Sequence, residues 1–272
     1  MSLWVHRYTL VPRNRSAAAR YGALLRVDGG FADVHPWPEL GDAPLDEQLA
    51  LLARGETTQL TRASLHWARV DRDARRGGVS LFDGLTIPLS HWSGDDPTAA
   101  FDTVKTKGVM TVPEHVRIRI DFNARLTPAE FVRVAEGLPK ERIDFIEDPC
   151  PYDVALWTSL REQTGLRLAL DRFEGVADVL VHKPALQTSF PRFDGEVVVT
   201  SYMDHPVGQC FAAYVAATNR VSARNGLFTH VLYEPDAFIE RIRAEGARLS
   251  PPEGTGVGFD DLLEDLPWTK IG

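Results

Sequence analysis

Three successive strand-like segments in the middle of the chain each end on an acidic residue, and this regularity constrains the fold more than any other feature. The acids are Asp121, Glu147 and Asp171, at intervals of 26 and 24 residues. Each interval is about the length of one strand-plus-helix repeat, so the strands are expected to be parallel and to end at the same rim. The sequence therefore predicts a (β/α) barrel with three carboxylates at one mouth.

The region from residue 85 onward alternates short β-like segments with helical stretches. Eight strands are predicted, which is the number that closes a barrel: 85–89, 103–108, 116–122, 143–147, 167–171, 179–184, 197–201 and 227–232. Helices are predicted at 128–137, 154–164, 208–221 and 235–245, with Thr127 and Asp153 as N-caps. The connections 90–102 and 187–196 leave little room for helices, so the outer ring is expected to be reduced.

The first 84 residues show a different pattern. β-rich runs at 3–11 and 21–27 flank the loop 12–20, and helices are predicted at 44–54 and 58–72. We therefore expect a small α+β unit over residues 1–84 and a barrel over residues 85–250. The tail 251–272 contains an acidic segment that either packs back on the small unit or forms a solvated amphipathic helix.

The composition favours a small-molecule or metal partner. The 272 residues carry a formal charge of −8, which disfavours nucleic acid as a partner because phosphate binding needs a basic face. No segment is apolar over the length that a bilayer requires, so no membrane partner is expected. Cys150 and Cys210 are too few for a disulfide framework and are expected to be unpaired core thiols, which fits a cytoplasmic protein.

Strict alternation in the segment 116–123 indicates which way its side chains point. Ile118 and Ile120 lie on one face, and Arg119, Asp121 and Asn123 lie on the other. On an exposed sheet the polar face would be solvated. In a barrel surrounded by helices the outward side is apolar, so Asp121 and Asn123 are expected to point inward at the end where barrel active sites lie.

Three acids in register require a compensating charge. A single carboxylate at a strand end is usually a cap or turn residue. Three adjacent ones repel each other unless they are protonated or bind a cation. Oxygen ligands without His or Cys favour Mg²⁺ over zinc.

Lysines stand on both sides of the acids. Lys105 and Lys107 share one face of the preceding strand, and Lys183 ends the strand that follows the third acid. A solvated strand edge and a surface lysine are the alternative interpretations. At the same rim, the charge of Lys105 would lower the pKa of Lys107 and raise its neutral fraction.

The order lysine, acid, acid, acid, lysine, with the local texts Lys-Thr-Lys, Asp-Phe-Asn, Glu-Asp-Pro, Leu-Asp and Lys-Pro, resembles the enolase superfamily and its muconate-lactonising subgroup. The segments 142–150 and 162–165 look like the o-succinylbenzoate synthase family of menaquinone biosynthesis. The resemblance implies an α/β fold: a modified (β/α)₇β TIM-like barrel with an N-terminal α+β capping domain.

The resemblance also implies roles for individual residues. Asp121, Glu147 and Asp171 match the ligands of Mg²⁺, with Mn²⁺ as a substitute, and Lys107 and Lys183 match the two catalytic lysines. Lys105 and Asn123 match supporting positions. Weaker candidates for substrate binding are Arg20, Ser201 and Gly208.

The implied reaction is dehydration of a cyclohexadiene carboxylate to 2-succinylbenzoate through an ene-diolate. Two other functions remain open at this point. The same five residues serve an N-acylamino acid racemase or a dipeptide epimerase, and a degenerate barrel without catalysis would use them only structurally. The sequence leaves the oligomeric state open.

Overall fold

The N-terminal part of the chain is an antiparallel sheet covered by helices, and we call it the capping unit. The computed structural model describes residues 2–94, 99–108, 112–171 and 175–271. The capping unit contains β1 (Leu3–Leu10), β2 (Arg20–Val27), β3 (Gly30–Val34), α1 (Leu45–Ala53) and α2 (Gln59–Arg76). The two predicted strands and two predicted helices are confirmed; β3 is an additional strand, and α2 runs four residues beyond its predicted end.

Helix α2 is the main element covering the sheet. Its N-cap Thr58 accepts a hydrogen bond from the N–H of Thr61 and donates its own N–H to the Thr61 hydroxyl, so two backbone donors at the helix start are satisfied. Leu60, Leu65 and Trp67 lie on its buried side. The helix is therefore fixed at its start by the cap and along its length by apolar burial.

The central sheet consists of six parallel strands in the order β4-β5-β6-β7-β8-β9. The strands are β4 (Thr103–Thr106), β5 (Arg117–Asp121), β6 (Ile143–Glu147), β7 (Leu168–Asp171), β8 (Val179–His182) and β9 (Glu196–Val199). They match six of the eight predicted strands, and their carboxyl ends lie at one rim. Ile118 and Ile120 pack outward in an apolar cluster with helix residues, as the alternation predicts.

Two short segments close this sheet into a barrel. Isolated parallel bridges join Thr200 to Gly226, Ser90 to Asn225 and Trp92 to Val104. The predicted strands at 85–89 and 227–232 are wrong: the first closing segment lies at 89–92, and the second lies at 225–226, with a 3₁₀ turn following at Thr229–Leu232. Each closing segment is joined to its neighbours by isolated bridges only. Such a segment does not need an apolar run as long as a strand, so its position could not be predicted from one.

Among the described residues, helices flank only part of the barrel; the predicted reduction at 90–102 lies partly outside these residues. α3 (Pro128–Glu136), α4 (Val154–Thr164) and α5 (Pro206–Thr218) confirm three predicted helices. Residues 183–195 contain no helix, in line with the predicted reduction of the outer ring. The predicted helix at 235–245 is wrong, because a 3₁₀ turn at Ile239–Arg241 leads into a hairpin of β10 (Arg243–Glu245) and β11 (Arg248–Ser250) around Gly246.

The tail returns to the capping unit. After α6 (Asp260–Glu264), β12 (Thr269–Lys270) pairs antiparallel with β1. One apolar cluster runs continuously from the capping sheet through Trp67 of α2 to Phe211 of α5 and the barrel strands. The division at residues 84 and 250 stays a prediction. In the described chain, no helix combines the length and apolarity needed to cross a membrane.

Candidate active site

Three carboxylates form a row at the carboxyl rim of the barrel. Asp121, Glu147 and Asp171 are the last residues of β5, β6 and β7, which are neighbours in the sheet. Asp121 of β5 pairs in register with Glu147 of β6. Glu147 in turn pairs with Ala169 of β7, and Asp171 lies two residues beyond Ala169 on that strand. The strand-end positions inferred from the sequence are thus adjacent in space.

Lys105 lies between the first two carboxylates. Its Nζ is 3.1 Å from Asp121 Oδ2 and 2.6 Å from Glu147 Oε1. Burial alone would lower the pKa of Lys105, but attraction by the three carboxylates outweighs burial and raises the pKa above its ordinary value. Lys105 is therefore a fixed positive charge and not a base.

Lys183 holds the third carboxylate. It directly follows β8, and its Nζ forms an ion pair with both side-chain oxygens of Asp171. Its side chain is only 9% exposed. Lys105 and Lys183 thus contact the two ends of the acidic row from β4 and β8.

Burial of the row and repulsion between its carboxylates disfavour full ionisation of all of them. Burial raises the pKa of Glu147 to about 7, against the opposing attraction of Lys105. Asp148, a residue that the sequence motifs do not assign to the site, has its pKa raised to about 8 by burial and by repulsion from Asp171 and Glu147. Its Oδ1 accepts the Asp171 N–H over 3.2 Å. The text Glu-Asp-Pro is the sequence signal for this fourth carboxylate.

Lys107 lies exposed at the rim, just beyond β4. It is two residues from Lys105 and therefore projects from the same face of the strand. Partial enclosure by the protein lowers the pKa of Lys107, Asp121 opposes this shift, and the charge of Lys105 adds to it. The net lowering increases the fraction of Lys107 that is neutral and able to accept a proton.

Asn123 supports the first carboxylate through its backbone. Its N–H donates to Asp121 Oδ1 over 2.9 Å. Asn123 and Ala124 both have positive φ, 49° and 56°, so the chain turns sharply away from the strand end. This bond and the charge of Lys105 together overcome the effect of burial and lower the pKa of Asp121, which stays ionised.

The three candidates for substrate binding lie in separate surroundings. Arg20 pairs with Glu39 over 2.5 Å and lies 4.1 Å above the ring of Trp37. Ser201 is buried and shares a 2.5 Å hydrogen bond with Thr229. Within the described residues, no hydrogen bond or ion pair joins either of them to the acidic row.

Gly208, in the first turn of α5, borders a different cluster. A Cβ on it would lie 2.5 Å from Asp204 Oδ2 and 2.8 Å from Asp33 Oδ2, so only glycine leaves space between these two carboxylates. Asp33 belongs to β3 of the capping unit. Gly208 therefore marks the junction of the capping unit with the barrel.

The donor set at the rim fits a hard divalent cation. Its members are carboxylates at adjacent strand ends, one of them with a pKa raised by burial and by like charge, which is the electrostatic situation that a bound cation relieves. Among the described residues, no three His, Cys, Asp or Glu side chains already lie in metal-holding geometry. The carboxylates contact the ammonium groups of Lys105 and Lys183 instead.

Family models match both parts of the chain. Residues 3–74 match the O-succinylbenzoate synthase, N-terminal domain, and residues 85–187 match the Enolase C-terminal domain-like family. The chain is 34% identical to the o-succinylbenzoate synthase of Bdellovibrio bacteriovorus, with 97% of this chain and 97% of that protein covered.

Solved structures with the same fold include two epimerases. The dipeptide epimerase from Cytophaga hutchinsonii, complexed with Mg and D-Ala-L-Val, superposes with a TM-score of 0.74 at 14% identity and covers 100% of this chain and 99% of its own. The L-Ala-D/L-Glu epimerase from Bacillus subtilis gives a TM-score of 0.69 at 16% identity and coverages of 94% and 97%. Such low identities show the fold alone. The family models and the full-length relative go further, and the chain belongs to the o-succinylbenzoate synthase family of lyases, within the enolase superfamily.

Proposed function

We propose that the protein is a Mg²⁺-dependent o-succinylbenzoate synthase, which converts 2-succinyl-6-hydroxy-2,4-cyclohexadiene-1-carboxylate into 2-succinylbenzoate and water. The observation that carries the proposal is the row lysine, acid, acid, acid, lysine at one barrel rim in a chain 34% identical, over 97% of its length, to a synthase of this name. We also propose that the protein catalyses this step in menaquinone biosynthesis.

In the proposed reaction Lys107 is the base and then the acid. The neutral amine takes the proton beside the substrate carboxylate, and the electron pair of that C–H bond enters the carboxylate as an ene-diolate. The pair then returns to form the ring double bond while the C–O bond to the hydroxyl breaks. The Lys107 ammonium gives the departing oxygen its proton, so one water leaves and the ring becomes aromatic.

The remaining charged residues stabilise the ene-diolate. Lys183 approaches from the other end of the row, where its positive charge faces the developing negative charge. Lys105 stays protonated and holds Asp121 and Glu147 in place. A Mg²⁺ ion held by Asp121, Glu147 and Asp171 would supply Lewis-acid stabilisation of the substrate carboxylate.

A direct assay tests the proposal. The purified protein with Mg²⁺ and the cyclohexadiene substrate is expected to form the aromatic product, followed by absorbance, and EDTA is expected to abolish the reaction. Lys107→Ala is expected to lower kcat at least about 100-fold, the loss typical of removing a general acid–base group. Lys270→Ala, at an exposed position in β12, is the control and should keep the wild-type rate. An inactive wild-type protein with Mg²⁺ bound contradicts the assignment.

The epimerase alternative is tested in parallel. Lysines on opposite sides of one row suit a two-base exchange of a proton at one carbon, and the superposed epimerases share the fold. Incubation with N-acylamino acids and dipeptides in D₂O separates the two functions. Deuterium at the α-carbon, without dehydration of the cyclohexadiene, would assign the protein to epimerisation.

A further inference from the structure

The segment carrying Lys183 is tied to helix α2 of the capping unit. Trp67 Nε1 donates a buried hydrogen bond of 2.9 Å to the carbonyl oxygen of Pro184, the residue after Lys183. Proline has no N–H, so its carbonyl is the only backbone hydrogen-bonding group through which this residue can be held. The contact crosses from the capping unit to the end of a barrel strand.

The hydrogen-bonded peptide is part of a tight turn. The carbonyl oxygen of Lys183 accepts the N–H groups of Leu186 and Gln187, at 2.9 Å and 3.0 Å. Rotation of the Pro184 carbonyl would therefore disturb the turn that begins at Lys183. The backbone from which the ammonium extends is fixed on one side by β8 and on the other by this turn.

The indole that makes the bond is itself held firmly. Trp67 is only 6% exposed, and its ring stacks on Phe211 of α5 with the centroids 5.4 Å apart and the planes at 26°. Tyr214 packs edge-on against the same ring at 6.5 Å. The direction of the indole N–H is thus determined by α2 and α5 together.

We infer that Trp67 is a positioning residue for Lys183: its hydrogen bond to Pro184 fixes the height and direction from which the Lys183 ammonium reaches the substrate. The inference rests on the proposed function, in which Lys183 stabilises the reaction intermediate. A misplacement on the order of 1 Å costs about 100-fold in rate. Loss of the indole donor would also leave a buried carbonyl without a partner, which favours rearrangement of the turn.

Trp67→Phe tests the inference because it removes the N–H and keeps an aromatic ring against Phe211. We expect kcat to fall about 10-fold, less than the cost of a full misplacement of about 1 Å because β8 and the turn still hold Lys183, while KM changes less than about twofold. The control is Trp268→Phe, which removes an indole bond of the same 2.9 Å length to Leu263 in the tail. This control is expected to keep the wild-type kcat. A Trp67→Phe enzyme with unchanged kcat overturns the inference.

Amide hydrogen exchange gives a second readout that does not depend on the reaction. In Trp67→Phe, the N–H groups of Leu186 and Gln187 are expected to exchange about 10-fold faster, and in Trp268→Phe they are expected to match wild type. Equal exchange in all three proteins contradicts the inference. If the wild-type protein does not dehydrate the cyclohexadiene, the proposed function fails, and exchange still decides whether Trp67 holds the turn.

A second variant tests the inference if Trp67→Phe does not fold. Phe211→Leu retains the indole donor and removes the ring on which it stacks. It is expected to lower kcat by about threefold, less than the loss of the bond itself, and to speed exchange of the same two amides. Faster exchange of these amides with a wild-type kcat in Phe211→Leu would then overturn the inference, because the turn would have loosened without slowing the reaction.

Discussion

Asp144 determines which side chains of β6 reach the acidic row. Ile118 of β5 pairs with Ile143, but Arg119 pairs with Phe145, so Asp144 is an extra residue at a β-bulge. A bulge changes the phase of the alternation beyond it, and here it places Glu147 directly beside Asp121. If Asp144 instead paired regularly with Arg119, the register would place Ile146 beside Asp121.

The carboxylate of Asp144 is the counter-charge of the buried Arg119 and of the exposed Arg117. Its oxygens lie 2.8 Å from Arg119 Nε and 2.9 Å from Arg117 Nη2. Arg119 is 1% exposed and also donates to Nδ1 of His91 over 2.9 Å. The bulge and this ion pair therefore support each other, because the extra residue is the one that points at the guanidinium.

Asp144→Asn is expected to destabilise the protein by about 3–5 kcal/mol, because it leaves the Arg119 charge buried without a full partner. Urea unfolding followed by circular dichroism measures the loss. Asp46→Asn is the control: its pair with Arg7 has side chains 57% and 82% exposed. Removing such a surface pair costs less than about 1 kcal/mol. Equal losses in the two variants would show that burial of Arg119 does not matter.

Among the elements, β5 could be predicted to within one residue at each end, and the closing segments could not be predicted. The alternation in 116–123 is strict, and the structure places Ile118 and Ile120 against the outer helices and Asp121 at the rim. The closing segments 89–92 and 225–226 are held by isolated bridges and by the Asn225 side chain, which accepts the Val199 N–H. Such local bonds leave no periodic pattern in the sequence.

Two further elements differ from expectation for different reasons. The β2–β3 hairpin carries a recognisable signal, since Asp28 and Gly29 at its turn both have positive φ, as an Asp-Gly turn requires. The hairpin of β10 and β11 carries little signal, because β10 is exposed and its formation depends on pairing with β11. For the candidate site, the strand-end positions of the three acids could be inferred from the sequence. Their contacts with Lys105 and Lys183 could not be inferred, because these contacts depend on how the side chains pack.

The start of α3 gives a prediction for a single element. Thr127 accepts the N–H of Glu130, and the Glu130 carboxylate accepts the N–H of Thr127, which forms a complete capping box. Thr127→Ala is expected to cost about 1 kcal/mol and to lower Tm by about 2–4 °C in thermal unfolding. Thr127→Ser retains the hydroxyl and should remain within about 1 °C of wild type. A larger loss in Thr127→Ser than in Thr127→Ala would exclude the cap as the cause.

The molecule as a whole is held together where the capping unit meets the barrel. The indole N–H groups of Trp37 and Trp67 donate to the carbonyls of Tyr202 and Pro184, just beyond β9 and β8. The loop after β1 bridges from Pro12 to Tyr233. These contacts surround the carboxyl rim, so the fold places the junction of its two parts around the candidate site.

Two carboxylates meet inside this junction. Asp33 of β3 accepts the hydroxyl of Tyr8 over 2.7 Å and the N–H of His205 over 3.1 Å. Both Asp33 and Asp204 lie beside the Gly208 backbone. Asp204 Oδ1 and His35 Nε2 are buried without a hydrogen-bond partner in the described chain. A proton on either carboxylate would relieve their repulsion.

The remaining groups around the pair do not supply a positive charge. They are Tyr8, His35, His205, Cys210 and Tyr233. Burial lowers the pKa of His35 to about 3 and that of His205 below its ordinary value, so both are neutral near pH 7. No ion pair within the described residues involves Asp33 or Asp204. Burial therefore raises the pKa of Asp204 to about 7 and that of Asp33 above its ordinary value.

This pair predicts the pH dependence of stability. A raised pKa in the folded state means that, between about pH 4 and pH 7, the folded chain keeps a proton that the unfolded chain has released. The contribution of the pair to the free energy of unfolding is therefore complete below about pH 4 and is lost as pH rises to about 7. Asp204→Asn removes the titrating group and keeps the size and shape of the side chain. Its unfolding free energy is expected to rise relative to wild type between pH 5 and pH 8, by an amount on the order of 1–3 kcal/mol.

Urea unfolding of wild type, Asp204→Asn and the exposed control Asp265→Asn at several pH values measures this difference. The buried histidines contribute equally to all three proteins, so the difference between the curves isolates the pair. Asp265→Asn should parallel wild type, while Asp204→Asn should diverge upward as pH increases. Parallel curves for all three proteins would mean that folding leaves the pKa of Asp204 unchanged, which contradicts the prediction. Divergence would show that Asp204, at the junction of the capping unit with the barrel, keeps its proton in the folded state at pH values where the unfolded chain has released it.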